Sequence, residues 1–167
     1  DYASTQHIGL SYQSNFDYLS VWIDREKMES ILKNLISNAL KYTQKGGNVQ
    51  VIATEKGKEW SVEISDTGIG IPQSEQKRLF KTHFRSSNAI NNKITGSGIG
   101  LLLVWKLVKQ HKGKITFHSK EGEEHTFFHC DIFSTDMINI AAIRGIHCHI
   151  GCLCFHTENT QFHGFIV

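Results

Sequence analysis

Proline is nearly missing from this 167-residue chain: one residue, Pro72, against roughly eight at the usual ~5%. No run approaches the ~18 consecutive apolar residues of a membrane-spanning helix. The opening Asp1-Tyr2-Ala3-Ser4 has no basic or apolar stretch of the kind that starts a secretory signal. Cysteine is scarce where it would matter most. Cys130 stands alone in residues 1–133 and cannot build a disulfide framework, which fits a reducing compartment. Charge of one sign is also lacking. A formal net charge of +2 gives no electrostatic case for nucleic acid. Internal repeats and low-complexity tracts are absent.

What is present divides unevenly. Hydrophobic residues make up 40% of the chain, enough for a core and too much for a disordered chain. The charged residues concentrate in 1–133. Residues 134–167 carry only Arg144, Asp136 and Glu158, together with Cys148, Cys152 and Cys154. The composition therefore allows one domain plus an appendage and breaks between 1–133 and 134–167; the Cys/His-rich tail over 134–167 is unassigned, with a non-native extension as one reading.

Along the first part, residues 8–12 and 18–22 read as short strands. Asp24 is placed as an N-cap. Met28, Ile31, Leu32, Leu35, Ile36, Ala39 and Leu40 then form the apolar stripe of a helix ending near Tyr42. Residues 49–54 and 60–65 read as a hairpin pair of strands. A tight loop follows, Asp66-Thr67-Gly68-Ile69-Gly70-Ile71-Pro72, and then a short helix over 73–81. Residues 85–97 are polar and aperiodic and read as a mobile loop. Residues 98–110 form a second strong helix, stopped at Gly113. Residues 114–119 and 126–133 close the domain as a hairpin.

Three elements carry chemistry. Asn34, Asn38 and Lys41 sit at i, i+4 and i+7, so they fall within about 60° of one another on one helix face. A row of two carboxamides and an ammonium, taken alone, suits a solvated face first and a metal-bound phosphate second: an Asn oxygen is a hard ligand for Mg²⁺. Asp66 with Gly68 and Gly70 ends a strand, where the carboxylate can accept from a ring amine and glycine lets the backbone come close. Gly96-Ser97-Gly98-Ile99-Gly100 opens a helix, whose free amides form a phosphate cradle. A dinucleotide fingerprint needs a strand directly before the glycines, and a Walker loop needs a following Gly-Lys-Ser/Thr. Neither is present.

In this order, the three elements closely resemble the ATP-binding domain of sensor histidine kinases, a superfamily shared with gyrase, the ninety-kilodalton heat-shock chaperones and mismatch-repair ATPases. Residues 35–43 resemble its N box, 66–70 its first glycine box, 79–85 its F box and 95–101 its second glycine box. The resemblance implies an α+β two-layer sandwich, a mixed and mostly antiparallel sheet covered on one face by about three helices (the Bergerat-type fold). It implies that Asp66 binds the adenine amine of ATP while Gly68 and Gly70 pass close to the purine. Asn38 holds Mg²⁺, Asn34 lies at the same end, and Lys41 and Tyr42 contact phosphates or ribose. Gly96, Gly98, Gly100 and Leu101 belong to the lid and phosphate cradle, and Phe80 and Phe84 pack the lid's hinge. Arg85 is a candidate for the γ-phosphate or for partner docking; for Arg85 and Lys93 a solvated loop charge is the alternative. Lys81 and His83 depart from the F-box pattern, which usually has Glu and Pro there.

Hydrolytic members of the superfamily carry Glu four positions before the metal-binding Asn. Here that position is Asn34, and an amide cannot take a proton from water. The expectation is a domain that donates the γ-phosphoryl group to a histidine on a separate helical domain of the same parent protein, from which it passes to a response regulator. The phosphoacceptor signature, His followed by an acid and a Pro, is absent, so the chain reads as a catalytic domain unable to phosphorylate itself alone. A cytoplasmic location is expected, with the parent protein either free or anchored in the inner membrane, and no contact of this segment with membrane or nucleic acid. An anti-sigma-type serine kinase and an ATP-binding switch without transfer are the alternatives. His83, His111, His118, His125 and His129 read as surface or strand residues. In the tail, His147, Cys148, His149, Cys152, Cys154 and His156 have ligand chemistry suited to Zn²⁺, at a spacing outside the usual paired patterns.

Overall fold

The computed structural model describes residues 2–17, 19–57, 59–121, 126–133 and 150–154. In chain order the elements are α1 (Tyr2–Thr5), β1 (Gly9–Ser14), β2 (Ser20–Asp24), α2 (Arg25–Tyr42), β3 (Asn48–Lys56) and β4 (Glu59–Asp66). Then come α3 (Ser87–Asn91), α4 (Gly100–Gln110), β5 (Lys114–His118), β6 (Thr126–Phe133) and β7 (Ile150–Cys154).

Five strands form one sheet in the order β1-β3-β4-β6-β5. Only β1 and β3 run parallel, in register from Gly9↔Asn48 to Ser14↔Ala53; the other pairs are antiparallel. The period-2 pattern decides which face is covered. Val49, Val51 and Ala53 of β3, Trp60, Val62 and Ile64 of β4, and Phe128, Cys130 and Ile132 of β6 are all buried. Their neighbours Gln50, Ile52, Ser61, Glu63 and His129 are not. α2 and α4 pack on each other and on the buried face. α2 contributes Met28, Ile31, Leu32, Leu35 and Ala39, and α4 contributes Val104 and Val108. The two-layer architecture therefore matches the expected fold, with two long helices and the short α1 and α3 beside them.

Local chemistry sets the ends of α2. The Asp24 carboxylate accepts from the Lys27 amide at 3.1 Å and pairs with its ammonium at 3.0 Å. At the other end the Thr43 hydroxyl donates to the Ala39 carbonyl at 2.7 Å, turning the chain out of the helix.

Two expected segments differ. The short helix over 73–81 is only a 3₁₀ turn, Gln76–Arg78, because Leu79 is the only buried apolar residue there and offers no helical stripe. The polar stretch 85–97 contains α3, which buries Ala89. In the tail, β7 pairs antiparallel with β2, from Ser20↔Cys154 to Asp24↔Ile150. Of the possible tail metal ligands, His147, Cys148, His149 and His156 lie outside the described residues. Among the described residues no group of three His, Cys, Asp or Glu could hold a metal, and no helix is long and apolar enough to cross a membrane.

The two faces of the sheet predict different costs for the same deletion. Ile64, fully buried at the centre of β4, should lose about 3 kcal/mol of unfolding free energy on Ile64→Ala. Ile52→Ala, on the other face, should cost about 1 kcal/mol or less. Urea melts of both variants check this, and equal costs would contradict the one-sided core.

Candidate nucleotide site

The three chemistry-bearing motifs converge between α2, the loop after β4 and the start of α4. Asn34, Ser37, Asn38 and Lys41 line one side of an open cleft of about 320 Å³, and Gly96, Ser97, Gly98 and Gly100 line the other. The approach is close. A Cβ built on Gly100 would stand 2.8 Å from Asn34 Oδ1 and 3.8 Å from Asn38 Nδ2, and one on Gly96 would stand 3.2 Å from Lys41 Nζ. Ile99, at the N-cap of α4, makes no side-chain cap bond. The uncapped start of α4 thus borders the same cleft as the polar row of α2, and no side chain of Gly96 or Gly100 fills the approach, an arrangement suited to an anion.

A second, more enclosed cleft of about 60 Å³ continues inward. Asn38, Tyr42, Phe84 and Leu101 line both clefts, and Gly70, Ile71, Thr126 and Phe128 form the inner wall. Burial pushes the Tyr42 phenol above its usual value, with the Arg85 charge opposing. Arg85 also lines the inner cleft, and its guanidinium donates to the Ile94 carbonyl across the base of the lid. The Phe84 amide donates to the Gly98 carbonyl at 3.0 Å, closing the lid's two ends on each other. Arg78 stacks over the Phe84 ring at 4.8 Å, and Phe80 packs edge-on against Phe117 at 5.6 Å.

Asp66 and Gly68 line neither cleft directly. Asp66 ends β4 opposite Thr126, which does line the inner cleft. It is 5% exposed, and its Oδ1 accepts from the Gly68 amide at 2.9 Å. Gly68 is bridged to Thr43 at the end of α2, and a Cβ there would stand 2.6 Å from the Tyr42 carbonyl oxygen. Burial pushes the Asp66 carboxyl up to about 7, with the Gly68 N–H holding it down.

All the site residues expected from the sequence therefore gather around the two clefts or directly behind them. Sequence reading missed Thr126 and Ser119, whose hydroxyls bond at 2.8 Å, and Gln76 and Asn88, whose carboxamides grip the loop after Asp66. Composition carried no signal for Asn88, one of several Asn in a polar stretch. Of the five histidines read as surface or strand residues, the four that are described line neither cleft. His83 and His118 are exposed, and His118 stacks on Phe127. His111 caps α4 through the Leu107 carbonyl, His129 pairs with Asp131 at 2.9 Å, and His125 lies outside the described residues.

The buried carboxyl gives a pH signature. Unfolded, Asp66 titrates near ~3.9; folded, near 7. Between those values the folded chain keeps a proton that the unfolded chain has released. Stability therefore falls as pH rises across this window and stays depressed above it. Asp66→Asn keeps the shape without the charge. It should melt higher than the unaltered chain at pH 8, and the gap should narrow toward pH 5, at ~1.4 kcal/mol per unit of pKa difference. A gap that stays constant from pH 5 to 8 would exclude this role for Asp66.

Comparison with known proteins agrees with this geometry. The family model described as histidine kinase-, DNA gyrase B- and HSP90-like ATPase matches residues 23–133. The adaptive-response sensory kinase SasA of Prochlorococcus marinus is 35% identical over 122 residues, which cover 72% of this chain and 32% of that protein. The signal transduction histidine-protein kinase BarA of Escherichia coli is 35% identical over 115 residues, 65% of this chain and 12% of that protein. The chain thus spans a third or less of these curated relatives. Among solved structures, the nucleotide-free catalytic domain of the histidine kinase ThkA superposes with a TM-score of 0.68 at 23% identity, covering 80% of this chain and 83% of that one. Fold and sequence agree that this chain belongs to the histidine kinase-, DNA gyrase B- and HSP90-like ATPase family, and the curated relatives it resembles are histidine kinases.

Proposed function

We propose that the chain binds Mg-ATP across the two clefts and donates the γ-phosphoryl group to a histidine on a separate helical domain of its parent protein. The observation that carries this reading is the meeting of Asn34, Asn38 and Lys41 with the uncapped start of α4, opened by Gly100. The purine occupies the inner cleft, and Asp66, which stands behind Thr126 at its wall, is the acceptor that the family resemblance implies for the adenine amine. Tyr42, Phe84 and Leu101 flank the passage between the clefts. The phosphates lie outward, on the amides of Gly96, Gly98 and Gly100 and beside Lys41.

The donor set fits Mg²⁺. Asn38 lines both clefts and brings a hard oxygen to their junction. When bound, the ion neutralises phosphate charge and orients the terminal group. The protein's own share is positioning and electrostatics. Lys41 and the α4 amides hold the transferring group. Arg85 stands at the lid base for the γ-phosphate or the docked acceptor. Asn34 places a carboxamide where a water-activating base would otherwise stand. In the transfer, the acceptor imidazole nitrogen bonds to the γ-phosphorus as the bond to the bridging oxygen breaks. ADP leaves with that electron pair, and the imidazole proton passes to solvent.

Two measurements test the reading. Titration with a fluorescent ATP analogue and Mg²⁺ should show saturable binding, weakened at least about tenfold by Asp66→Asn, or ~1.4 kcal/mol. Radiolabelled ATP should leave no stable label on the chain alone. It should label a helical phosphoacceptor domain taken from a similar kinase, such as the SasA relative, with the acid-labile linkage of phosphohistidine. Stable self-labelling, or acid-stable label on serine, would overturn it.

A further inference from the structure

The loop after Asp66 is held almost group by group by distant partners. The Thr67 amide donates to the Asn48 carbonyl at 3.0 Å, and the Ile69 amide donates to the Tyr42 carbonyl at 3.2 Å. The Ile71 amide donates to Ser119 Oγ at 2.9 Å. Gln76 Nε2 spans the carbonyls of Ile71 and Ser119, at 3.0 and 2.7 Å. These partners sit on α2, β3, the 3₁₀ turn and the end of β5, the body of the domain.

One grip comes from elsewhere. Asn88 lies on α3, within the lid between Phe84 and Gly98. Its Nδ2 donates to the Gly70 carbonyl at 2.9 Å and reaches the Ile69 carbonyl at 3.3 Å. Its Oδ1 is buried and unpaired. A buried oxygen left without a partner is costly, so this contact persists against a penalty. Beside it, the Ser87 amide donates to Glu75 Oε2 at 3.0 Å. The other fixed points of the lid are internal or at its base: Phe84 to Gly98, and Arg85 to Ile94.

The two segments joined by this contact both border the inner cleft, although Asn88 itself does not line it. Gly70 and Ile71 wall it from the loop, and Arg85 and Ser86 wall it from the lid. We infer that Asn88 is a positioning residue that latches the lid to the purine-side loop through the Gly70 and Ile69 carbonyls, so that a nucleotide in the inner cleft leaves only when this contact parts. The inference rests on the nucleotide reading above and adds to it a residue that sets residence time.

The test uses the whole chain, a fluorescent ATP analogue with Mg²⁺, and stopped-flow chase with unlabelled ATP. Asn88→Ala removes the carboxamide; Asn88→Asp keeps its outline but removes both donors. Each should speed release about 3- to 10-fold, the range that loss of one neutral hydrogen bond gives, with association changed less than about twofold. Asn92→Ala is the matched control: Asn92 Nδ2 bonds the Asn88 carbonyl inside the lid and touches no loop group. Its release rate should stay at that of the unaltered chain. Unchanged release in the Asn88 variants, or equal acceleration by Asn92→Ala, would overturn the latch. If the Asn88 variants fail to fold, hydrogen exchange on the unaltered chain decides. Analogue binding should protect Ser87–Asn91 together with Ile69–Ile71, and protection of the loop alone would refute it. No binding by the unaltered chain would sink the nucleotide reading and the latch with it; binding with unaltered release would sink the latch alone.

Discussion

The close approach between the end of α2 and the turn after β4 governs this structure. Gly68 lies against the Tyr42 carbonyl with no room for a side chain, Thr43 bridges to Gly68, and the Ile69 amide is bonded to the same Tyr42 carbonyl. This contact ties the last turn of the helix to the turn that follows the strand. It buries Asp66 behind the inner cleft and aims the polar face of α2 at the start of α4. A single methyl group at Gly68 would separate the parts that make the site. The hydrophobic core explains why the two layers stay together, and this backbone contact explains why their ends meet where they do.

The cost of the arrangement is electrostatic. Asp66 is a carboxyl taken out of water with one amide to support its charge. The start of α4 is left without a cap, although helix termini ordinarily find one. Asn34 and Asn38 occupy helix interior positions that favour other residues, and Asn34 answers by bonding its own helix at the Ser30 carbonyl, 2.7 Å away. These concessions in stability, on three elements, lie along or directly behind the two clefts. Such a cluster of unmet polar capacity is what a ligand of matching chemistry relieves.

Much of this was legible in the sequence. The 3.6-residue stripe from Met28 to Leu40 and the alternation in β3 and β4 announced their elements within a residue or two. The order of the polar row and the two glycine loops announced the site, because close backbone approach and free helix amides demand those residue types. What failed to show were features whose cause lies far along the chain. The stretch 73–81 reads as a short helix between a tight loop and a polar run, yet it buries only Leu79 and settles as the turn Gln76–Arg78. Asn88 looked like loop composition because its partners stand 18 and 19 residues away, where no spacing rule reaches. The pairing of β7 with β2 is equally non-local.

The parallel pairing of β1 with β3 has a mechanical consequence. Gly9 lies beside Asn48, and Asn48 beside the turn through its two bonds with Thr67. The strands are about 4.8 Å apart, so the start of β1 stands roughly two strand widths from the loop that walls the inner cleft. Because β1 runs with β3, the chain enters the sheet at the ligand end, with α1 seated there through the bonds of Gln6 and Gly9 to Gly46 and Gly47. Torque applied at α1 acts on a short lever arm whose fulcrum is the Gly46–Asn48 turn. An antiparallel β1 would have put the same load at the far end of the sheet, a full strand length from anything that binds.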